Sequence, residues 1–398
     1  VIFSLGIITA LAETYLQTIF KWNFAYSWFW AKIPIYQWAE FVGFQGLSSF
    51  FILCNAILYW LWQIRTQTKA KVYISIFSAF LLLLTIFGHQ LPQRWKNSDA
   101  IVRPLIVQAN ISNQQKVYAE KGLGFRSYIL DKFSELTTQG SQGLNQPDFA
   151  VWPETAFPEY LNVTLGPYKS RLQDFLSRSK LPLITGGYSK HPHQQSSNSL
   201  FFLNDQGEFT DTPYDKSILL AFGEYIPGAE TFPILKKLLP MIADFKRGEG
   251  PSVKNFQNIK IGGQICYESL YPYFSQQLSK KGAEIIVNVT NDSWFGWWQE
   301  PYQHMVMTLA RGIEFRRPVI RATNTGISTV MLATGKQLTQ SPIGQEWMHT
   351  FTLPYKKNPP QTFFAKSFQL VPILLFVVLI SIVLYLRTLH SKKTLTIF

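Results

Sequence analysis

The stretch "GGQICYESLYP" fills residues 262–272. It begins as a short apolar run and stops at Cys266, two residues before Glu268. The chain has only two cysteines. The other, Cys54, lies in an apolar run that reads as a membrane helix. A run of strand character that ends on a lone thiol beside a carboxylate points toward chemistry, because a thiolate is a potent nucleophile.

Outward from Cys266, residues 100–360 alternate short apolar runs with helical patterns. The runs are AIVRPLIVQAN (100–110), DFAVWPE (148–154), LPLITGGYS (181–189), NSLFFLN (198–204), IGGQICYE (261–268), AEIIVNVTND (283–292), PVIRATNTG (318–326) and STVMLATG (328–335). Gly, Pro, Asn or Asp bound each of them, so they predict strands. Helical patterns fall at about 123–138, 167–179, 272–281 and 301–316. This alternation predicts an α/β domain. Residues 189–198, SKHPHQQSSN, read as a polar surface loop. His191 and His193 there lack the cysteine or carboxylate neighbours a metal site would need. Residues 229–252 are a mixed apolar and basic insertion, open to reading as a lid, a membrane-contacting arm or a long loop.

On either side of this domain the chain turns apolar. Its aromatic fraction is 16% and its charged fraction 15%, a balance that fits membrane segments joined to a soluble part. Apolar stretches occupy roughly 1–20, 44–64, 72–88 and 368–386, and a span needs about 20 mostly apolar residues. The first stretch carries Glu13, and residues 21–43 are rich in the aromatic residues of an interfacial segment. The expected organisation is a membrane-helix region over 1–99, a catalytic domain over 100–360, and a final membrane helix with a basic tail over 361–398. The opening run has no basic n-region or small-residue cleavage site, so it does not read as a signal peptide. The net charge of +13 raises nucleic acid or anionic lipid as a partner. No run of five or more basic residues and no nucleic-acid module is present, which argues against nucleic acid.

Basic residues flank two of the spans. Arg65, Lys69 and Lys71 lie in the loop 65–71, and Arg387, Lys392 and Lys393 follow the last span. Positive flanks mark the cytoplasmic side. With both flanks there, residues 100–360 fall on the opposite, extracytoplasmic side. Compartments on that side are generally oxidising, and structural cysteines in them come in pairs. A lone Cys266 in such a domain therefore suggests a chemical role.

Three strand ends carry polar residues that a buried strand does not need. They are Glu154 in "VWPETAFPE", Lys216 in "YDKSILLAFGEYIPG", with Glu224 eight residues later, and Cys266. Together they supply the needs of thiol acyl chemistry. A carboxylate can take the thiol proton, and an ammonium can stabilise both the thiolate and the oxyanion formed on attack. No histidine lies in these three motifs, which makes a Cys–His pair unlike this arrangement.

These residues resemble the Glu–Lys–Cys triad of the nitrilase superfamily of carbon–nitrogen hydrolases. The wider set "FGEYIP", "CYES", "NDSWFG", "QHMVMTLARGIEFRRPVIRATNTG" and the final span is similar to the apolipoprotein N-acyltransferase family, from about residue 30 to the C-terminus. The resemblance implies a nitrilase-like α-β-β-α sandwich inserted between transmembrane helices. It implies Cys266 as nucleophile, Glu154 as general base and Lys216 as stabiliser of the oxyanion. Glu224 and Glu268 become supporting acids that fix the geometry, and Tyr267 shapes the site. It further implies a multi-pass protein of the bacterial inner membrane that moves an acyl chain from a phospholipid, commonly phosphatidylethanolamine, to Cys266 as a thioester. The acceptor is the α-amino group of the S-diacylglyceryl cysteine of an apolipoprotein. No cofactor or metal is implied, and the sequence reads as N-terminally incomplete against the family. Trp294, Phe295, Trp297 and Trp298 are candidate membrane or substrate contacts. Two other readings stay open: a membrane-tethered amidase or nitrilase with water as acceptor, and a non-catalytic lipid-binding scaffold.

Overall fold

The computed structural model describes residues 2–395 apart from Gln17, Ile19, Leu144, Pro158, Thr164, Leu165, Met241 and Phe295. Contacts divide the chain into two units. One comprises Val1–Lys96, Ile313–Arg316 and Gln361–Phe398, and the other Asn97–Gly312 and Arg317–Pro360.

The second unit holds the described strands: β1 (Ala100–Val102), β2 (Pro104–Gln108), β3 (Phe149–Val151), β4 (Leu183–Lys190), β5 (Ser196–Leu203), β6 (Tyr214–Asp215), β7 (Val253–Phe256), β8 (Ile259–Ile265), β9 (Ile285–Thr290), β10 (Val319–Thr323), β11 (Thr329–Met331), β12 (Trp347–Thr350) and β13 (Leu353–Tyr355). One sheet has the order β12-β2-β3-β4-β5-β6 and the other β11-β10-β9-β8-β7, with β1 and β13 forming a separate pair. At the heart of each sheet lie three parallel strands, β2-β3-β4 and β8-β9-β10. Strands covered on both faces read as continuous apolar runs. That is why "PLIVQ" and "IIVNVT" show no alternation and are buried throughout.

The unit is layered helix, sheet, sheet, helix. Helices Phe125–Ser141 and Pro167–Ser179 bury Phe133, Leu136, Leu172 and Leu176 with Leu105, Val107, Trp152 and Leu183 of the first sheet and its flanks. Trp152 stacks on Phe133 with ring centroids 5.0 Å apart, and its Nε1 donates to Thr137 Oγ1 at 2.9 Å. Truncating Trp152 to Ala would cost about 3–5 kcal/mol by the cavity it leaves. Between the sheets, Phe149 and Phe202 meet Phe256 at 5.3 and 5.8 Å. Helix Pro272–Lys280 sets Leu278 against Gly262 of β8, on the outer face of the second sheet.

Several elements differ from the sequence expectation. The run 100–110 is two strands, β1 and β2, parted at Arg103, whose backbone N–H donates to Asp148 Oδ2 at 2.7 Å. Helix Asn113–Glu120, with Ser112 and Gln115 closing its first turn, was not expected. The polar loop over 189–198 is corrected: β4 runs to Lys190 and β5 starts at Ser196, so only a short tip joins them. Ser189, Ser197 and Asn198 are buried in the sheet. His191 also has a carboxylate beside it, Asp215 Oδ2 at 3.1 Å from Nε2.

The first unit is helical. Among the described residues, three helical stretches are long and apolar enough to cross a membrane: Pro34–Gln63, Ala70–Trp95 and Leu370–Thr388. Val72, Ile76, Phe80, Leu83, Ile373, Phe376 and Ile380 are all exposed on them. Continuous apolar faces of this kind suit a lipid surrounding better than water. The opening run forms helix Ile2–Tyr15 of 14 residues, about 21 Å long. The helix at Ala39–Gln63 kinks at Gly43, where φ is +66° and the Phe364 ring fills the place of a Cβ. Also within this unit, the Arg316 guanidinium pairs with Glu40 at 2.6 Å, and the Phe44 N–H donates to Glu314 at 2.9 Å.

Candidate active site

Cys266 is the first residue after β8, in a tight 3-10 turn over Cys266–Leu270. Its φ is +50°, a left-handed conformation that costs a non-glycine residue about 1–3 kcal/mol. The turn is tied down. Its carbonyl accepts from Ser269 Oγ at 3.0 Å, His304 Nε2 at 3.3 Å and Asn288 Nδ2 at 3.4 Å. The side chain bonds Thr290, and the residue as a whole remains partly accessible.

Glu154 follows β3 by three residues. Next to it, Thr155 also adopts positive φ, +48°. This loop lies directly on Gly186 of β4: a Cβ there would sit 2.7 Å from Glu154 Cα, so only glycine admits the approach. Lys116 reaches under the loop from helix Asn113–Glu120, its Nζ donating to the Glu154 carbonyl at 3.1 Å and Thr155 Oγ1 at 3.0 Å.

Lys216 follows β6 and is 1% exposed. Its Nζ stands 2.8 Å from Glu224 Oε1 and 3.3 Å from Glu154 Oε1. Asn198 Nδ2 donates to the same two carboxylates, at 2.7 Å to Glu154 and 3.1 Å to Glu224. Burying an ammonium costs several kcal/mol. Burial pulls the Lys216 ammonium down, but the charges of Glu154 and Glu224 outweigh it and hold the group well above its usual range. Lys216 thus stays charged. For Cys266 the balance runs the other way. Burial and the Glu154 charge push its thiol well up, and Lys216 and the Thr290 bond offset only part of that. The resting sulfur is therefore a thiol, which needs a base to react.

Glu268 is a tie between loops. Its Oε1 accepts from Tyr214 OH at 2.5 Å, Ser217 N at 2.7 Å, Ser217 Oγ at 3.0 Å and Ile218 N at 3.2 Å. Its Oε2 accepts from Ile265 N at 2.8 Å. One buried carboxylate so joins the Lys216 loop to the Cys266 turn. Tyr267 is buried, with its ring edge-on to Tyr271 at 5.3 Å.

A second charged group also lies close to Cys266. His304 Nδ1 is 2.9 Å from Asp292 Oδ1 and 3.5 Å from Glu300 Oε1, and Arg321 donates to Asp292 Oδ2 at 2.8 Å. Asp292, Glu300 and His304 are close enough together to hold a cation. The Arg321 guanidinium already fills that role at Asp292, whose other oxygen is shared by His304 and Thr290. Burial raises Asp292, but Arg321 and His304 bring it down to about 2.

Glu154, Lys216, Glu224, Glu268 and Cys266 are thus brought to one place by three segments: the loop after β3, the loop after β6 and the turn after β8. Asn198, Lys116, His304, Asp292 and Arg321 were missed. The legible signal for the last three was an ionisable residue inside an apolar element, such as Arg321 in "VIRAT". Trp297 and Trp298 are exposed, at 64% and 80%. Phe295 and the Trp294 side chain lie outside the described residues.

The carbon-nitrogen hydrolase family matches residues 123–351. Apolipoprotein N-acyltransferase of Bdellovibrio bacteriovorus is 44% identical over 378 residues, covering 92% of this chain and 69% of that protein. The protein of the same name in Geobacter metallireducens is 29% identical over 341 residues, covering 84% of this chain and 64% of its own length. The chain therefore spans about two thirds of the length of these curated relatives. Saccharomyces cerevisiae Nit3, a member of branch 10 of the nitrilase superfamily, has the same fold at a TM-score of 0.50 and 15% identity, covering 68% of this chain and 94% of that one. From a sandwich of this kind, apolar helices before and after it in the sequence, and close likeness to a bacterial relative, it follows that the chain belongs to the carbon-nitrogen hydrolase family and, within it, to the acyltransferase enzymes named apolipoprotein N-acyltransferase.

Proposed function

We propose that this chain transfers an acyl group from a membrane phospholipid, through a thioester on Cys266, to the α-amino group of an S-diacylglyceryl cysteine at the start of an apolipoprotein. The observation that carries this reading is the buried Lys216 ammonium held between Glu154 and Glu224 and acting through its charge on the Cys266 thiol.

In the first step Glu154 takes the thiol proton as sulfur attacks the ester carbonyl. Lys216 supports the developing oxyanion. Collapse expels the glycerol oxygen, which recovers the proton from Glu154, and lysophospholipid leaves. In the second step the amine attacks the thioester, Glu154 accepts an amine proton, and the thiolate departs and is reprotonated. Two carboxylates against one ammonium leave the cluster negative, which suits a base and favours a neutral thiol at rest. Glu224 and Glu268 hold Lys216 and its loop. Both substrates are lipid-anchored, so membrane helices confine the encounter to one plane. The exposed Trp297 and Trp298 suit an interfacial contact. The basic flanks of the spans support an inner-membrane, multi-pass placement with residues 100–360 outside the cytoplasm.

The reading is checked by incubating the full chain in mixed micelles with labelled phosphatidylethanolamine and a diacylglyceryl peptide. Acylated peptide and lysophospholipid in equal amounts are expected. Free fatty acid with no acylated peptide would replace transfer by hydrolysis.

A further inference from the structure

The ring of His304 lies between two groups that can only accept hydrogen bonds. On one side is the Asp292 carboxylate, 2.9 Å from Nδ1. On the other is the carbonyl of Cys266, 3.3 Å from Nε2. A neutral imidazole carries one proton and satisfies only one of them; a ring protonated at both nitrogens satisfies both. His304 is 2% exposed, so water does not make up the difference. The charges around it also balance. Arg321 and a charged His304 face Asp292 and Glu300.

We propose that His304 is a positioning residue: a buried imidazolium that clamps the backbone of the nucleophile, with one ring N–H anchored on Asp292 and the other holding the Cys266 carbonyl. The clamp acts where the backbone needs it, since Cys266 sits at φ +50°. Releasing its carbonyl frees the turn to relax and swings the sulfur off the line of attack. Burial and Arg321 pull the ring's proton affinity down, while Asp292 and Glu300 raise it, with a net rise. The inference deepens the proposed acyl transfer and rests on Cys266 as its nucleophile, but the state of the ring can be read without any substrate.

The experiment is nitrogen NMR of the full chain in detergent micelles, labelled with ¹⁵N-histidine. Six histidines give the signals, and His304→Gln identifies the one that belongs to residue 304. At pH 7 both ring nitrogens of His304 should resonate as protonated imidazolium. A neutral-tautomer pattern at that pH overturns the proposal. In parallel, His304→Gln, which keeps one amide donor but no charge, should slow thioester formation about 10- to 100-fold, as loss of a charge-assisted bond does. The KM for phospholipid should stay unchanged. A variant that unfolds at the wild-type temperature and acylates at the wild-type rate also overturns it. If neither protein forms a thioester while the NMR pattern is that of an imidazolium, the acyl-transfer reading fails and the imidazolium stands.

Discussion

Two buried charge clusters lie close to Cys266, and they differ in sign. On one side Glu154 and Glu224 share a single ammonium, Lys216. On the other, Asp292 and Glu300 face Arg321 and His304, two against two. The first cluster is left with a surplus negative charge beside a thiol; the second is neutral and grips backbone. Charge imbalance costs stability and is useful only where a proton must move. Balance gives rigidity without reactivity. The unbalanced side is the proposed chemical machinery, and the balanced side is its mounting.

The largest expected effect falls on the unbalanced side. Glu154→Gln should lower the rate of Cys266 acylation by about 10²- to 10⁴-fold, the usual worth of a general base, measured by single-turnover mass spectrometry. A near-normal rate would move the base elsewhere. Lys216→Met comes next. It should cost about 3–5 kcal/mol of stability, because two buried carboxylates lose their counter-ion, along with a rate loss of about 10²- to 10³-fold. Thermal unfolding of the purified chain and the same rate assay read both numbers.

On the balanced side the effects should appear mainly as stability against pH. Asp292 has a folded value of about 2, below its ordinary range near 3.9. A depressed carboxylate stabilises the fold above its unfolded value and loses that as pH falls through the folded one. Wild type should therefore lose about 2–3 kcal/mol between pH 5 and pH 1 that Asp292→Asn does not. Parallel acid limbs for the two proteins would break the contrast between the clusters. His304 has the opposite sign. Its raised value gives stability that is full below its unfolded range near 6.5 and is lost as pH rises through the folded value. Glu300→Gln should have the smallest effect, about 0.5–1 kcal/mol. It should move the His304 titration to lower pH in the NMR experiment; an unchanged titration would remove Glu300 from the balance.

Much of this was legible in the sequence where burial is complete. The central strands and helices Phe125–Ser141, Pro167–Ser179, Pro272–Lys280 and Glu300–Phe315 carry patterns set by two covered faces or one. The ends of two such runs pointed to Glu154 and Cys266, and the polar turn before the apolar stretch 218–222 pointed to Lys216. Edge strands were not legible. "VKNF" and "WMHT" are short and half exposed, and pairing rather than composition makes them strands. Asn198 was hidden for a different reason. In "HQQSSNS" it stands at the junction of the polar stretch 189–198 and the run 198–204, yet β5 draws it into the sheet, where its amide donates to Glu154 and Glu224. Lys116, four residues into a helix with no apolar stripe to announce it, has the same character. Burial brings it down to about 8, with Glu154 and Glu120 opposing, and only tertiary structure shows that it props the Glu154 loop.

Acyl transfer through Cys266 stands or falls on intact mass spectrometry of the full chain mixed with phosphatidylethanolamine. A mass increase of one acyl group is expected, mapped by digestion to the peptide containing Cys266 and lost on hydroxylamine treatment and in Cys266→Ala. Acylated peptide product from Cys266→Ala, or an adduct that maps to another residue, would contradict it.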